Sequence, residues 1–329
     1  MPEWKQISIG LLLSIACSGC SSSLSHGSFV VNDEVYPLAI STPTPQSDVD
    51  PYREALADIW MDRDKYSIGD ARIERKCNIY TCALSIKVKD KLVEKFSVPS
   101  GTKEWIKYGT IDLLGTKTLQ LVIFTYSGGA HCCYDYAIYD LKPNLRLIYD
   151  STNYNSANDI GDELVPVDID GDGVFEFYRN VIAFDYMGSG GHASASFPPA
   201  IFAFDSASHK YVLASARFPE FVLKQLDLLI KNVKRQDFPT DDDAKEYFVR
   251  TKFLYLVYAG RRDEAWKYFD ENYRSSAGSG YQEEFKEQFR REFKKSFEKD
   301  PTYLSIYGKY LPAVSSTLRS VISCSNRRR

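Results

Sequence analysis

The sequence predicts an α+β protein, in which a β-rich part is followed by a C-terminal α-helical part. Between about Ile68 and Phe218, short runs of alternating, β-branched or aromatic residues are separated by Gly, Asn, Pro and Asp turns, which is typical of strands. After Phe218 the apolar residues recur at intervals of three and four, which is typical of helices. We expect the strands to form a sandwich or partial propeller-like sheets.

The composition is that of a folded, extracytoplasmic protein. Hydrophobic residues make up 44% of the 329 residues, enough for one large or two ordinary domains. The 23 tyrosines fit a β-rich chain, because tyrosine packs well on pleated surfaces. The net charge is −3 with both signs mixed, so no nucleic-acid partner is expected.

The N-terminus has the pattern of a secretory signal. Lys5 precedes the apolar run "ISIGLLLSIAC", which is too short to span a bilayer. The following "ACSGC" resembles a bacterial lipoprotein signal, in which small residues precede a cysteine that is acylated after cleavage. The resemblance implies lipidation at Cys20 and removal of residues 1–19. Cys17 is a rival acceptor, and a plain secretory signal is the alternative.

The same resemblance implies a location and an anchor. Ser21 stands where lipoproteins retained at the inner membrane carry Asp, which favours the outer membrane of the bacterial cell envelope, facing the periplasm or the surface. The lipid is the predicted membrane contact. Residues 20–50, rich in Ser and Pro, are predicted to be a flexible tether.

The residue patterns divide the rest of the chain into three parts. We predict a β-rich calcium-binding domain over 51–218, a helical domain over 219–310 and a flexible tail over 311–329. "PYREALADIWMDRDKY" (51–66) predicts one short amphipathic helix. At least seven strands follow. "FTYSGGAH" from Phe124 resembles "FDYMGSGGH" from Phe184, a spacing that fits a duplicated sheet unit, although chance similarity of Gly-rich turns explains it equally well.

The helical part has clear start and stop signals. Thr240 followed by three acids predicts a helix N-terminus, and Gly260 predicts its end. Residues 261–273 are predicted to pair with that helix as an antiparallel hairpin. A later helix carries an aromatic residue at every fourth position from Tyr281 to Phe297, which favours core packing over a membrane- or partner-binding face.

"DIDGDGVFE" (168–176) concentrates four carboxylates around two glycines. Numbered from Asp168, carboxylates fall at positions 1, 3, 5 and 9, and a backbone carbonyl falls at 7, an arrangement that supplies the oxygen ligands of Ca²⁺. Position 12, where an EF-hand needs Glu, is Arg179. The stretch resembles the calcium loops of FG-GAP and VCBS-type repeats. The resemblance implies calcium ligands as follows: Asp168, Asp170, Asp172, Val174 through its carbonyl, and Glu176. The alternative is a solvated Asp-Gly turn.

The cysteines suggest an oxidising compartment. Cys77 and Cys82 suit a disulfide across a short turn. "GGAHCC" (128–133) is similar to a segment of uncharacterised bacterial exported proteins that precedes a DxDGDG loop. Cys132 and Cys133 could form a vicinal disulfide, one of them could bond to Cys324 or another thiol, or both could join His131 in a metal or nucleophilic site. Gly128, Gly129 and His131 form a candidate ligand-binding turn.

Three functions are consistent with these features. The favoured one is a lipid-anchored, non-catalytic module that binds a protein or glycan and uses calcium to hold its binding loop. The alternative is an envelope enzyme, a hydrolase or thiol-redox protein, centred on His131, Cys132 and Cys133. A structural envelope component is the third. The sequence contains neither G-x-S-x-G nor H-E-x-x-H, so two common hydrolase motifs are excluded.

Overall fold

A computed structural model gives the structure of the protein. It describes residues 29–31, 34–36, 60–99, 103–128, 134–154, 160–184, 195–234, 238, 240–273 and 282–308. The chain divides into two compact units, 1–40 and 41–329. In the first unit, within the predicted tether, β1 (Phe29–Val31) and β2 (Glu34–Tyr36) form a short antiparallel hairpin. The acidic loop at 168–176 lies in the second unit.

Three four-stranded antiparallel sheets follow one another along the second unit, and each is a meander of consecutive strands. Sheet I contains β3 (Lys65–Ile68), β4 (Ala71–Cys77), β5 (Cys82–Val88) and β6 (Lys91–Val98). Sheet II contains β7 (Ile106–Ile111), β8 (Gln120–Tyr126), β9 (Tyr134–Asp140) and β10 (Arg146–Asp150). Sheet III contains β11 (Ile160–Val167), β12 (Glu176–Val181), β13 (Pro199–Asp205) and β14 (Lys210–Leu213).

Five helices follow the sheets in the described part of the chain. They are α1 (Pro219–Asn232), α2 (Asp241–Tyr258), α3 (Arg262–Asn272), α4 (Gln282–Phe297) and α5 (Pro301–Tyr307). The predicted α+β class, with strands first and helices second, is confirmed. Each sheet has the strand number and connectivity of a propeller blade, but three such sheets are fewer than a propeller needs.

Sheet II is the middle layer of the β-rich part, because both of its faces are buried. Along β8, Leu121 and Ile123 belong to the apolar cluster shared with sheet I, whereas Val122 between them belongs to the cluster shared with sheet III and the helices. Successive side chains of a strand point to opposite faces, so a run of apolar residues fills both interfaces. The same alternation is seen on β9.

The helices cover the face of sheet III that points away from sheet II. Phe177 of β12 packs edge-to-face on Tyr149 of sheet II, and the next residue, Tyr178, packs on Phe221 of α1. The hydroxyl of Tyr255 in α2 donates to the carbonyl of Phe197 at 3.2 Å. One apolar cluster therefore runs from sheet II through sheet III into the helices.

The helix boundaries follow the sequence signals. The Thr240 hydroxyl accepts from the Asp243 N–H at 3.1 Å, and Gly260 after α2 has a φ of +79°. In α4, Phe289, Phe293 and Phe297 are all buried. Core packing is confirmed for these three residues. Among the described residues, no helix is both long and apolar enough to cross a membrane.

The predicted helix over 51–66 is wrong where the structure describes it; residues 51–59 lie outside the described ranges. Trp60 forms an isolated antiparallel bridge with Gly109, and β3 begins at Lys65. The Trp60 ring packs near Phe124 at a centroid distance of 6.0 Å. Burial of a large ring against sheet II therefore overrides the local helical spacing.

Candidate metal centre

The acidic loop connects two paired neighbours, β11 and β12. Val167, the last residue of β11, pairs in register with Glu176, the first residue of β12. The hairpin therefore brings the first and last carboxylates of the loop, Asp168 and Glu176, to the same end of sheet III. This is why residues eight positions apart in sequence can share one ligand.

Backbone N–H groups organise the loop around Asp168. One carboxylate oxygen of Asp168 accepts from the Gly171 N–H at 2.8 Å, and the other accepts from the Gly173 N–H at 3.1 Å. Both glycines have positive φ, +77° and +83°, which other residues adopt only with strain. The two glycines allow the chain to wrap closely enough for both N–H groups to reach one side chain.

Three carboxylates converge within this wrap. Oxygen atoms of Asp168, Asp170 and Glu176 all lie within 4.8 Å of one another. Glu176 is only 3% exposed and accepts from the Ile169 N–H at 3.0 Å. Burial raises the pKa of the Glu176 carboxyl, the Ile169 N–H opposes this rise, and the charges of Asp170 and Asp172 add to it. A hard divalent cation, which prefers oxygen ligands, would relieve this repulsion; that this cation is calcium stays a prediction.

Asp172 and Val174 are predicted ligands that are not part of this group of three carboxylates. Asp172 is exposed, does not belong to the convergent group, and accepts from the Val174 N–H at 2.7 Å. That bond closes the second half of the turn. Direct ligation by Asp172, and by the carbonyl of Val174, stays a prediction.

A cationic side chain that the sequence did not single out lies beside the group. Arg217, in the short 3₁₀ turn Ser215–Arg217 before α1, approaches the Asp170 carboxylate at 3.5 Å. It compensates part of the negative charge from outside the loop. No local signal could have identified it, because Arg217 is distant in sequence and belongs to a different element.

The loop also contacts a connection of sheet II. The Phe175 N–H donates to the carbonyl of Leu113 at 2.8 Å, in the connection between β7 and β8. The buried hydroxyl of Tyr211 in β14 donates to the carbonyl of Phe175 at 2.9 Å. Gly115 lies so close to Gly173 that an added Cβ would overlap the Gly173 carbonyl oxygen. Two sheets therefore position the carboxylates.

The other predicted site residues are elsewhere or outside the described ranges. Cys77 and Cys82 are paired in register across β4 and β5 and are joined by a disulfide. Gly128, with a φ of +95°, lies beside the Trp105 ring at the end of the described part of its turn. The predictions for Cys20, Gly129, His131, Cys132 and Cys133 fall on residues that the structure does not describe.

No protein-family model, curated protein or solved structure matches this chain. The resemblance to FG-GAP and VCBS-type loops accordingly stays a prediction that rests on the residues of the loop. The geometry of the loop supports a divalent cation site independently of that resemblance.

Proposed function

We propose that this protein is a lipid-anchored calcium-binding protein of the bacterial cell envelope, and that its β-rich part binds a protein or glycan without catalysis. The observation that carries the proposal is the convergence of the Asp168, Asp170 and Glu176 carboxylates. Ca²⁺ takes six to eight oxygen ligands, and carboxylates bind it in mono- or bidentate fashion. Calcium would supply charge neutralisation and hold the loop in one shape.

Electrostatics explains why the loop needs a cation. Two carboxylates at about 4 Å repel each other by roughly 4 kcal/mol at an effective dielectric of 20. Arg217 offsets part of this repulsion for Asp170, but it is exposed and lies at 3.5 Å. The buried Glu176 is close to the other two carboxylates. The divalent ion would act on all three at once.

The proposed role in binding follows from where the loop lies. Gly171, Asp172 and Gly173 at its tip are exposed, and the loop contacts the β7–β8 connection at two points, Phe175 with Leu113 and Gly173 with Gly115. Calcium would thus stiffen two neighbouring connections that face solvent together. A rigid pair of loops on a sheet scaffold is the usual way in which β-rich proteins present a binding surface.

Calorimetry tests the calcium part of the proposal. Titration of chelator-treated protein with Ca²⁺ should show saturable uptake well below millimolar concentration. Asp170→Asn should weaken uptake at least tenfold, because it removes one charge from the convergent group. Asp90→Asn, an exposed carboxylate in the β5–β6 turn, is the matched control and should leave uptake unchanged. An absence of uptake below millimolar concentration would refute a calcium site.

The binding and anchoring parts need separate measurements. Capture of partners from envelope extracts should be lost in chelator and restored by Ca²⁺. Capture that is indifferent to chelator would contradict the calcium-dependent binding role. Cys20→Ala should move the protein from the membrane fraction to the soluble fraction, with Cys17→Ala as the control. The opposite pattern would assign lipidation to Cys17.

A further inference from the structure

A second candidate site lies among the helices, away from the acidic loop. A cavity of about 520 Å³ opens between α3, α4 and α5, and is lined by Arg262, Trp266, Arg290, Lys294, Phe297 and Tyr303. This volume is within the range of roughly 300–1,000 Å³ that is typical of small-molecule sites. The lining combines guanidinium and ammonium groups with aromatic rings.

The cavity has excess positive charge. Arg290 is already engaged, because it forms an ion pair with Asp270 and lies 3.6 Å from Glu287. Within the described residues, by contrast, Lys294 has no carboxylate within 4 Å. The Arg262 guanidinium lies over the Tyr307 ring at 5.1 Å and forms an ion pair at 3.6 Å with Asp263, a side chain that is 97% exposed. The charge of Lys294 is thus available to an anion, and Arg262, whose partner Asp263 is almost fully exposed, adds a second positive charge beside it.

Aromatic rings form the apolar part of the cavity wall. The rings of Phe297 and Tyr303 stack at a centroid distance of 4.5 Å with an interplanar angle of 17°, and Trp266 lines the cavity as well. Aromatic side chains that line a cavity offer apolar contact to a ligand ring, while guanidinium and ammonium groups bind carboxylate and phosphate. The cavity is therefore suited to a ring that carries an acidic group.

One lining residue narrows the ligand class further. Glu298, the residue directly after α4, places a carboxylate at the cavity, four residues after Lys294. A carboxylate accepts hydrogen bonds, so it favours a ligand with hydroxyl groups and disfavours a purely aromatic acid. We propose that this cavity binds an acidic sugar, in which a carboxylate or phosphate lies against Lys294 and Arg262 and a ring face lies against the aromatic wall. This site goes beyond the proposed calcium-dependent function and does not depend on it.

The test is titration of the full-length, detergent-solubilised protein with glucuronate, glucose 6-phosphate, inorganic phosphate and glucose, monitored by calorimetry and tryptophan fluorescence. At least one acidic sugar should bind at least tenfold more tightly than glucose and inorganic phosphate, and chelator should not weaken it. The relative affinities of glucuronate and glucose 6-phosphate distinguish a carboxylate from a phosphate ligand.

Matched variants on one helix locate the site. Lys294→Gln should weaken the acidic sugar at least tenfold, whereas Lys295→Gln, an exposed neighbour outside the cavity lining, should not change its affinity. Both changes are on the surface of α4, so folding should be unaffected. The proposal is overturned if neither acidic sugar binds at 10 mM, if glucose or inorganic phosphate binds equally well, or if Lys294→Gln binds like the wild type.

Discussion

Glu176 is a buried carboxyl group whose charged form is costly without a cation. It is 3% exposed, and burial together with the charges of Asp170 and Asp172 raises the pKa of its carboxyl. Its side chain accepts a hydrogen bond from the Ile169 N–H at 3.0 Å. Ion binding and folding therefore place opposite demands on this side chain, since the charge that binds a cation is unfavourable in its absence.

Glu176→Gln should affect the stability of the calcium-free protein and the calcium affinity in opposite directions. Without calcium, the free energy of unfolding should stay equal or increase by up to about 1 kcal/mol, because a buried charge is removed while an amide oxygen can still accept from Ile169. Calcium affinity should fall at least tenfold. Chemical denaturation in chelator and calorimetry with Ca²⁺ measure the two effects. A variant that is less stable in chelator yet binds calcium normally would contradict this assignment.

Tyr149 is a buried phenol between sheets II and III. Burial raises the pKa of Tyr149 to about 12, although the positive charge of Arg179 works against the rise. The folded protein holds the phenolic proton more tightly than the unfolded chain, whose pKa is near 10. Its contribution to stability is therefore complete below pH 10 and is lost as the pH rises from about 10 to 12.

Tyr149→Phe should reduce the alkaline loss of stability. The free energy of unfolding of the wild type should fall above pH 10, with Tyr149 contributing up to about 1.4 kcal/mol per pH unit. The variant should show a shallower fall, and some slope should remain because burial also raises the pKa of Tyr255. Denaturation at a series of pH values measures this. Tyr80→Phe, at a 75% exposed position, is the control and should leave the slope unchanged.

At the scale of elements, the acidic loop depends on a neighbouring connection. The chain between β7 and β8 provides the Leu113 carbonyl that accepts from Phe175, and it turns at Gly115 with a φ of +63°. Asp112 accepts from the backbone N–H groups of Thr116 and Lys117 and closes this connection. The two loops therefore form one structural unit, although they belong to different sheets.

Gly115→Ala should disturb both loops, because its Cβ would meet the Gly173 carbonyl and its φ is positive. We expect a loss of stability of more than about 2 kcal/mol and weaker calcium binding. Gly69→Ala is the matched control: its φ is +54°, but nothing lies within 4 Å of the added Cβ. The control should lose only about 1 kcal/mol and keep its calcium affinity. Equal effects of the two substitutions on calcium binding would argue against coupling between the loops.

Helix α2 shows how a single side chain sets the start of an element. The Thr240 hydroxyl accepts from the Asp243 N–H, and three aspartates occupy the first turn near the positive end of the helix dipole. Thr240→Ala should therefore reduce the free energy of unfolding by about 1 kcal/mol in chemical denaturation. Thr240→Ser, which keeps the hydroxyl, should retain most of the stability; equal losses in both variants would contradict the capping role.

At the scale of the whole molecule, one apolar cluster joins sheets II and III to the helices. The acidic loop contacts this core through the hydroxyl of Tyr211, which donates to the Phe175 carbonyl and lies on a fully buried side chain. A ligand that stabilises the loop should thus stabilise the sheets and the helices together. The strands and helices of the second unit are expected to unfold in one cooperative transition.

Calcium should consequently raise the unfolding midpoint of the whole second unit. At a free calcium concentration one hundred times the dissociation constant, the free energy of unfolding should increase by about 2.7 kcal/mol. Far- and near-ultraviolet circular dichroism should report the same shifted transition. If calcium shifted only one of two separable transitions, the shared core would not couple the helices to the loop.

Sequence patterns predicted those features whose causes are local. The nine-residue acidic loop carries its own carboxylates and glycines, and the helix boundaries at Thr240 and Gly260 follow neighbouring residues. Strand β4, "ARIERKC", lacks such a pattern because Glu74 and Arg75 interrupt the alternation of apolar and polar residues. Both are buried, and Arg75 forms ion pairs with Asp62 and Asp64. Such pairing between separate segments has no local signature.

The sequence by itself therefore determined the order of strands and helices and the presence of a dense carboxylate loop, because periodicity, turn residues and charge spacing act over a few neighbouring residues. Only the tertiary structure decided that Glu176 is buried, that Arg217 lies beside Asp170, and that residues from three helices line a cationic cavity. The physical reason is that burial and electrostatic fields depend on distances in space, which folding sets between residues far apart in the chain.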